Sequence, residues 1–131
     1  MRYLLDSNVV IALLNDSSSR AARRAKRERA GDLGLSAIAA HELFHGAFKS
    51  RRTAQNLARL DALRFPLVEF DGEDAREAGL IRAQLGSHGI PIGPYDVLIA
   101  GQAMARGLTL VTHNIREFSR VPGLQIEDWE A

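Results

Sequence analysis

The sequence predicts one α/β domain, spanning residues 1–131, with a mostly parallel central sheet. Short apolar runs suited to buried strands alternate with longer stretches that have the periodicity of helices. These runs are continuously apolar, which is typical of parallel strands covered by helices on both faces. No repeat, linker or low-complexity tract divides the chain, so its length suits a single core.

The first half of the chain predicts one strand and four helices. Small polar residues that favour helix N-caps, such as Ser36, precede several of these helices. The elements predicted in order are a strand over 2–5, a helix through about Asn15, a basic helix to about Ala30, a turn framed by Gly31 and Gly34, and helices over 37–50 and 53–64.

The second half predicts three strands and two helices. Asp71 is suited to cap one helix, and Pro94 stands at the first position of the other, where proline is tolerated. The elements predicted in order are a strand over 67–70, a helix to about Leu85, a loop rich in glycine and proline, a helix over 94–106, and strands over 108–111 and 124–126.

Composition excludes several classes of protein. The chain has no cysteine, which excludes disulfides and thiolate metal sites. No apolar run reaches the roughly 20 residues that a membrane span needs, and we interpret the protein as soluble and cytoplasmic.

Charge is unevenly distributed along the chain. Residues 1–65 hold 12 Lys or Arg against 6 Asp or Glu, whereas residues 66–131 hold 5 against 10. Much of the excess lies in the basic stretch 20–29, where Arg23, Arg24 and Arg27 are candidates for contacts with phosphates. A solvated helix face explains the same run, and the run alone does not decide between the two.

Acidic and amide side chains gather at four places in the predicted fold. Asp6 follows the first strand, Glu42 lies on a helix face lined by small residues, and Asp96 lies in the first turn of its helix. Asn114 follows the strand over 108–111. Each position has an ordinary structural explanation, as a helix cap, an exposed helical residue or a loop residue.

Taken together, these residues indicate a metal site. In open α/β sheets, sites form beyond the carboxyl ends of the strands, which would bring these side chains together. Carboxylates that meet at one point repel each other unless a cation holds them. Oxygen ligands favour Mg²⁺, with Mn²⁺ as the other candidate, and such sites commonly act on phosphates.

Four stretches resemble those of the PIN-domain ribonucleases, and more narrowly those of the VapC toxins of toxin–antitoxin pairs. They are YLLDSN at 3–8, EL at 42–43, GPYDVLIA at 93–100 and VTHNIREF at 111–118. The stretches occur in the family's order and spacing, and the resemblance covers nearly the whole chain. It implies an α/β/α sandwich that cleaves RNA with Mg²⁺.

The resemblance also implies roles for individual residues. Asp6, Glu42 and Asp96 match the acidic positions of the family and become candidate metal ligands. The family often has another acid in the fourth motif, where this chain has Asn114, with Glu117 one turn later. Either Asn114 completes the site through water or Glu117 serves instead.

Partners follow from the same resemblance. The final stretch is similar to that of a branch that cuts initiator tRNA in its anticodon loop. A VapB-type antitoxin is expected, with a tail that carries an arginine into the acidic pocket. Leu13, Leu14 and Phe44 are candidates for the adjoining groove, and a homodimer is usual in the family.

Two other interpretations compete with the ribonuclease. The run from His41 to His45 matches H-E-x-x-H, the zinc-binding signature of a class of proteases, with Glu42 as general base. That interpretation offers no third zinc ligand and leaves Asp6 and Asp96 unexplained. A basic RNA-binding module that does not cleave is the non-enzymatic alternative, but its acids would repel phosphate.

Overall fold

A computed structural model describes residues 1–131. The chain forms five strands, seven α-helices and a single 3-10 turn at Ala30–Asp32. None of the helices combines the length and apolarity needed to cross a membrane. The strands are β1 (Tyr3–Leu5), β2 (Leu33–Ser36), β3 (Leu67–Val68), β4 (Thr109–Val111) and β5 (Ile126–Glu127). The helices are α1 (Ser7–Asn15), α2 (Arg20–Arg27), α3 (Ala37–Lys49), α4 (Thr53–Asp61), α5 (Gly72–Ser87), α6 (Pro94–Arg106) and α7 (Ile115–Phe118).

The five strands form one sheet with the order β3-β2-β1-β4-β5, and every pair is parallel. All residues of β1 and β2 are buried, so side chains on both faces of the sheet are covered. This confirms the predicted α/β class and the mostly parallel sheet.

The sequence did not predict β2. Its run Leu33-Gly34-Leu35-Ser36 contains a glycine, which we interpreted as part of a turn. In the structure Gly34 is needed by packing, because a Cβ there would lie 2.7 Å from Cγ2 of Val68 in the adjacent strand. Several boundaries also differ. β3 ends at Val68, two residues earlier than predicted, β5 begins two residues later than predicted, α2 ends at Arg27 and α4 ends at Asp61.

A buried side-chain amide joins three elements near the carboxyl ends of β2 and β3. Gln102 of α6 is fully buried, and its Oε1 accepts from the Ser36 hydroxyl at 2.5 Å. Its Nε2 donates to the backbone carbonyls of Val68 and Glu69, both at 3.0 Å. Because these polar groups are satisfied inside the core, they fix α6 against the sheet.

The site region follows from the strand order. The chain runs from β1 outward through β2 and β3 on one side, then returns to β4 on the other side of β1. This reversal makes the carboxyl ends of β1 and β4 a topological switch point, where α/β sheets form crevices. Leu5 pairs with Val111 at that edge, so Asp6 and Thr112 leave the sheet side by side.

Candidate active site

Asp6 is fixed in place at the centre of the crevice. It is 3% exposed, and its Oδ1 accepts from the backbone N–H of Ser7 at 2.8 Å as the N-cap of α1. Its Oδ2 accepts from the hydroxyl of Thr112 at 2.9 Å. Burial raises the pKa of Asp6, and these two hydrogen bonds oppose that rise. The side chain is therefore both a helix cap and a preorganised carboxylate.

Glu42 faces the same crevice from the middle of α3. Its Oε1 is buried and has no hydrogen-bond partner, although buried polar atoms are nearly always paired. Burial raises the pKa of Glu42, and the nearby charge of Asp6 raises it further. An unpaired buried carboxylate oxygen beside a second acid is the arrangement expected of a cation ligand.

Asp96 enters the crevice from the first turn of α6. Burial raises its pKa to about 7, with further increases from the hydrogen bond to Glu117 and from the charges of Asp6, Glu117 and Glu42. A proton held by Asp96 can be shared with the Glu117 carboxylate, whose own pKa is lowered first by the hydrogen bond from Asn114 and then by that with Asp96. The start of α6 thus brings Asp96 into contact with Glu117, which lies in the fourth motif.

The fourth motif is organised around the hydroxyl of Thr112. Besides donating to Asp6, this hydroxyl accepts from the backbone N–H of Asn114 at 3.0 Å. The side-chain amide of Asn114 donates to Oε2 of Glu117 at 2.7 Å. Of the two alternatives in this motif, Glu117 contacts Asp96, and Asn114 holds Glu117.

Sequence reasoning did not predict the role of Thr112. The signal available was its position, because Thr112 follows β4 as Asp6 follows β1.

The acidic oxygens suit a hard divalent cation, although they are not drawn tightly together. No three of these acids place their carboxylate oxygens within 4.8 Å of one another. Carboxylates that no cation bridges repel one another, which favours such a spacing. The all-oxygen donor set and the unpaired Glu42 oxygen fit Mg²⁺ or Mn²⁺ and do not resemble a zinc site.

The protease interpretation is wrong. His41 and His45 are both exposed, and neither belongs to a group of three metal-ligating side chains. The ring of His41 instead contacts that of Tyr95, with centroids 5.2 Å apart.

One group of three metal-ligating side chains does come within 4.8 Å. It consists of His113, which follows β4, and of Asp128 and Glu130, which follow β5. His113 Nδ1 lies 3.1 Å from Asp128 Oδ2, and this pairing raises the pKa of His113.

A small apolar groove opens beside Glu42. It has a volume of about 190 Å³ between α1, α3 and α4. Ile11, Leu14, Leu43 and Leu60 form its apolar walls, and Glu42 borders it. Of the three apolar residues predicted for a groove, Leu14 lines this one, whereas Leu13 packs against the core and Phe44 lies outside.

A basic hollow of about 670 Å³ lies between α2 and the end of the chain. Its cations are Arg20, Arg23, Arg24, Lys26 and Arg27. Arg24 forms ion pairs with Glu28 at 3.0 Å and with Glu127 at 3.1 Å, so its charge is already paired within the protein. Arg23 and Arg27 are exposed and have no ion pair.

Comparisons with known proteins show which family this chain resembles. The profile of the PIN domain matches residues 3–124. Two curated relatives named tRNA(fMet)-specific endonuclease VapC, from Shigella flexneri and Salmonella typhimurium, are 37% and 38% identical. Each alignment covers 98% of this chain and 98% of the relative.

Solved structures give the same result. The chain matches the crystal structure of DNA-bound VapBC from Salmonella typhimurium with a TM-score of 0.93 and 38% identity, covering 98% of both chains. It matches VapBC2 from Rickettsia felis, bound to a promoter DNA fragment, with a TM-score of 0.88 and 33% identity, covering 98% of this chain and 99% of that one.

Proposed function

The chain belongs to the PIN-domain family, and we propose that it is a Mg²⁺-dependent endoribonuclease, the toxin of a VapBC-type toxin–antitoxin pair. The observation that carries this proposal is the unpaired buried Oε1 of Glu42 beside Asp6 and Asp96. Such an oxygen costs folding free energy unless it serves a ligand, and the acids around it make that ligand a cation.

Asp6, Glu42 and Asp96 are the residues that would hold the metal. A bound divalent cation supplies activation of water and neutralisation of charge on the phosphate. The chain's own contribution is to hold the acids in place, since Thr112 and the Ser7 N–H orient the carboxylate of Asp6. With a pKa of about 7, Asp96 can release its proton at neutral pH and would then be available to hold the metal.

Asn114 and Glu117 have different roles in this proposal. Glu117 supplies the fourth carboxylate, in contact with Asp96. Asn114 positions Glu117 through the 2.7 Å hydrogen bond and is itself fixed by the hydroxyl of Thr112.

We propose initiator tRNA, cut in its anticodon loop, as the substrate. The support is the full-length similarity to two relatives whose names specify tRNA(fMet). A tRNA substrate places the activity in the cytoplasm.

A VapB-type antitoxin is the proposed partner, because the matching solved structures are VapBC complexes. The groove between α1, α3 and α4 has apolar walls for a helical or extended segment, and it ends at Glu42. An arginine at the tip of such a segment would find bidentate carboxylate partners in the crevice. A homodimer is part of the same proposal, and light scattering of the purified chain tests it.

The central test is cleavage of initiator tRNA by the purified chain, with sequencing of the cut ends. We expect Asp6→Asn, Glu42→Gln and Asp96→Asn each to lower the rate by at least about 100-fold, because each removes a charge from the metal site. His45→Ala is the matched control, since it is exposed on the same helix as Glu42 and contacts none of the acids. Calorimetric titration with Mg²⁺ should show weaker binding for the three acid variants only.

The outcomes separate the parts of the proposal. Activity that survives in Asp96→Asn and disappears in His45→Ala would overturn the assignment of the site. Equal cleavage of initiator and elongator methionine tRNA would overturn the substrate while leaving the ribonuclease intact. Inhibition by a partner that lacks its tail, equal to inhibition by the whole partner, would overturn the groove's role.

A further inference from the structure

An exposed aromatic pair stands at the mouth of the acidic crevice. The rings of His41 and Tyr95 have centroids 5.2 Å apart and planes inclined at 56°. Tyr95 is 49% exposed, and His41 is exposed as well. Each ring belongs to the residue directly before one of the acids, Glu42 on α3 and Asp96 on α6. The pair therefore joins the two helices at the point where both deliver a carboxylate.

Folding does not account for this pair. The other aromatic pair in the chain, Tyr3 with Trp129, is buried and belongs to the core. Tyr95 makes no side-chain hydrogen bond within the protein, so half of a large ring is left in water without structural compensation. Exposed aromatic rings beside a site that handles nucleic acid are suited to stacking on bases.

A second observation gives the direction in which a ligand would lie. Tyr95 also borders a cleft of about 350 Å³ whose wall includes Phe70 and Leu98. Arg82 lines the same cleft, is exposed and forms no ion pair. The cleft thus combines an aromatic rim, an apolar wall and one free guanidinium, which together match a base and a neighbouring phosphate.

We propose that Tyr95, supported by His41, stacks on one unpaired base of single-stranded RNA. This base lies next to the phosphate that is cleaved at the acidic site, and Arg82 contacts a flanking phosphate. This inference rests on the proposed ribonuclease function and deepens it. Stacking accepts any base, because every base has a π face, and it holds the strand in register with the acids. Tyr95 and His41 are positioning residues in this scheme, and the acids perform the chemistry.

The test uses a short single-stranded RNA that spans the cut site mapped with the wild-type chain. Binding is measured in an Asp6→Asn background, which is expected not to cleave, with 2-aminopurine placed next to the scissile phosphate. Tyr95→Leu keeps apolar packing against the cleft and removes the aromatic face. We expect it to weaken binding about tenfold and to abolish the quenching of 2-aminopurine fluorescence. Tyr95→Phe should keep both the affinity and the quenching.

Two controls make the result specific. Phe48→Ala removes an exposed aromatic ring from the far end of α3, and it should leave affinity unchanged. An RNA with an abasic nucleotide at the stacked position should bind the Asp6→Asn chain about tenfold more weakly than the intact RNA does. The chain that also carries Tyr95→Leu should bind the abasic RNA and the intact RNA equally well.

Equal affinity and equal quenching for the Asp6→Asn chain with and without Tyr95→Leu would overturn the inference. If the wild-type chain still cleaves RNA, the proposed function stands in that case. The inference is also overturned if the losses of RNA affinity caused by Tyr95→Leu and by the abasic nucleotide simply add. A wild-type chain that neither binds nor cuts RNA would overturn both proposals together.

Discussion

Asp96 is the acid whose charge depends most on what surrounds it. Its pKa of about 7 means that the folded chain keeps a proton there that the unfolded chain releases near pH 3.8. Metal-free protein should therefore lose stability as pH rises from about 4 to above 7, because the folded state binds more protons over that range. Asp96→Asn, which still donates to Glu117, should escape this loss.

We expect Asp96→Asn in EDTA to match wild type at pH 4 and to exceed it at pH 8. The gain should be about 1 kcal/mol, or about 3 °C in Tm, after discounting the pKa shift for partial exposure. Thermal unfolding followed by circular dichroism measures it, with the exposed carboxylate change Asp61→Asn as control. Addition of Mg²⁺ should stabilise wild type and reverse the order. A wild type that is more stable than Asp96→Asn at pH 8 in EDTA would contradict this account.

The roles of Asn114 and Glu117 can be separated by a double-mutant cycle. If Asn114 acts only by holding Glu117, Asn114→Ala should lower kcat/KM by about 10–100-fold in the wild-type background. In a Glu117→Gln background the same change should cost almost nothing further. A full additional loss would show that Asn114 contacts substrate or metal on its own.

At the scale of single residues, the sequence predicted three acidic ligands and left the fourth position of the site open between Asn114 and Glu117. Strand ends, helix faces and family motifs indicate Asp6, Glu42 and Asp96, and in the structure the charges of Asp6 and Glu42 raise the pKa of Asp96. The choice between Asn114 and Glu117 could not be made from spacing, because it depends on which side chain turns toward Asp96. The position of Thr112 after β4 was a signal in the sequence, but its hydrogen bond to Asp6 depends on the pairing of β4 with β1, which spacing does not reveal.

Among the secondary-structure elements, α5 and α6 pack most closely. A Cβ on Gly101 of α6 would lie 2.7 Å from the backbone nitrogen of Ala78 on α5. Gly101→Ala should therefore destabilise the protein by about 1–3 kcal/mol, even though alanine favours the helix. Gly79→Ala on α5 is the matched control, because nothing lies within 4 Å of its added Cβ. It should stabilise by roughly 0.5–1 kcal/mol, and urea unfolding measures both. Equal effects of the two substitutions would contradict the close packing.

Helix α2 provides a prediction about charge. Changing both Arg23 and Arg27 to Gln should weaken RNA binding in a way that depends on salt and not on sequence. The slope of log K against log salt should fall by roughly 0.7 for each phosphate that the two arginines neutralise in the wild-type complex. Arg76→Gln removes an exposed charge from α5 and serves as control. An unchanged slope would identify the α2 arginines as solvated surface only.

Apolar runs were enough to predict most elements, and β2 shows where they fail. A strand of four residues that includes glycine has too little pattern to distinguish from a turn. What makes it a strand is its place between β1 and β3, where backbone pairing on both sides outweighs the low strand propensity of glycine. Helix α7 escaped prediction for a similar reason, since its four residues are fewer than periodicity can register.

For the whole molecule, the order of strands matters more than any one strand. β1 lies between β2 and β4, so the first segment of the chain is completed by a segment near its end. The hydrogen bond from Thr112 to Asp6 spans 106 positions of sequence. The aromatic contact between Tyr3 and Trp129 spans nearly the whole chain in the same way. The acidic crevice is therefore a property of the finished sheet.

During synthesis on the ribosome, this topology delays the completion of the acidic crevice. Asp6 is made early, but the strand and hydroxyl that orient it follow only after another 106 residues, which takes roughly 5–20 s at ordinary rates of synthesis. A nascent chain that ends before Thr109 should consequently be harmless to the cell that makes it. Chains arrested at residue 108 should neither bind Mg²⁺ tightly nor cut RNA, whereas released full-length chains should do both. In the proposed toxin–antitoxin pair, that delay would give an antitoxin already present in the cell time to meet the chain before it first cuts RNA.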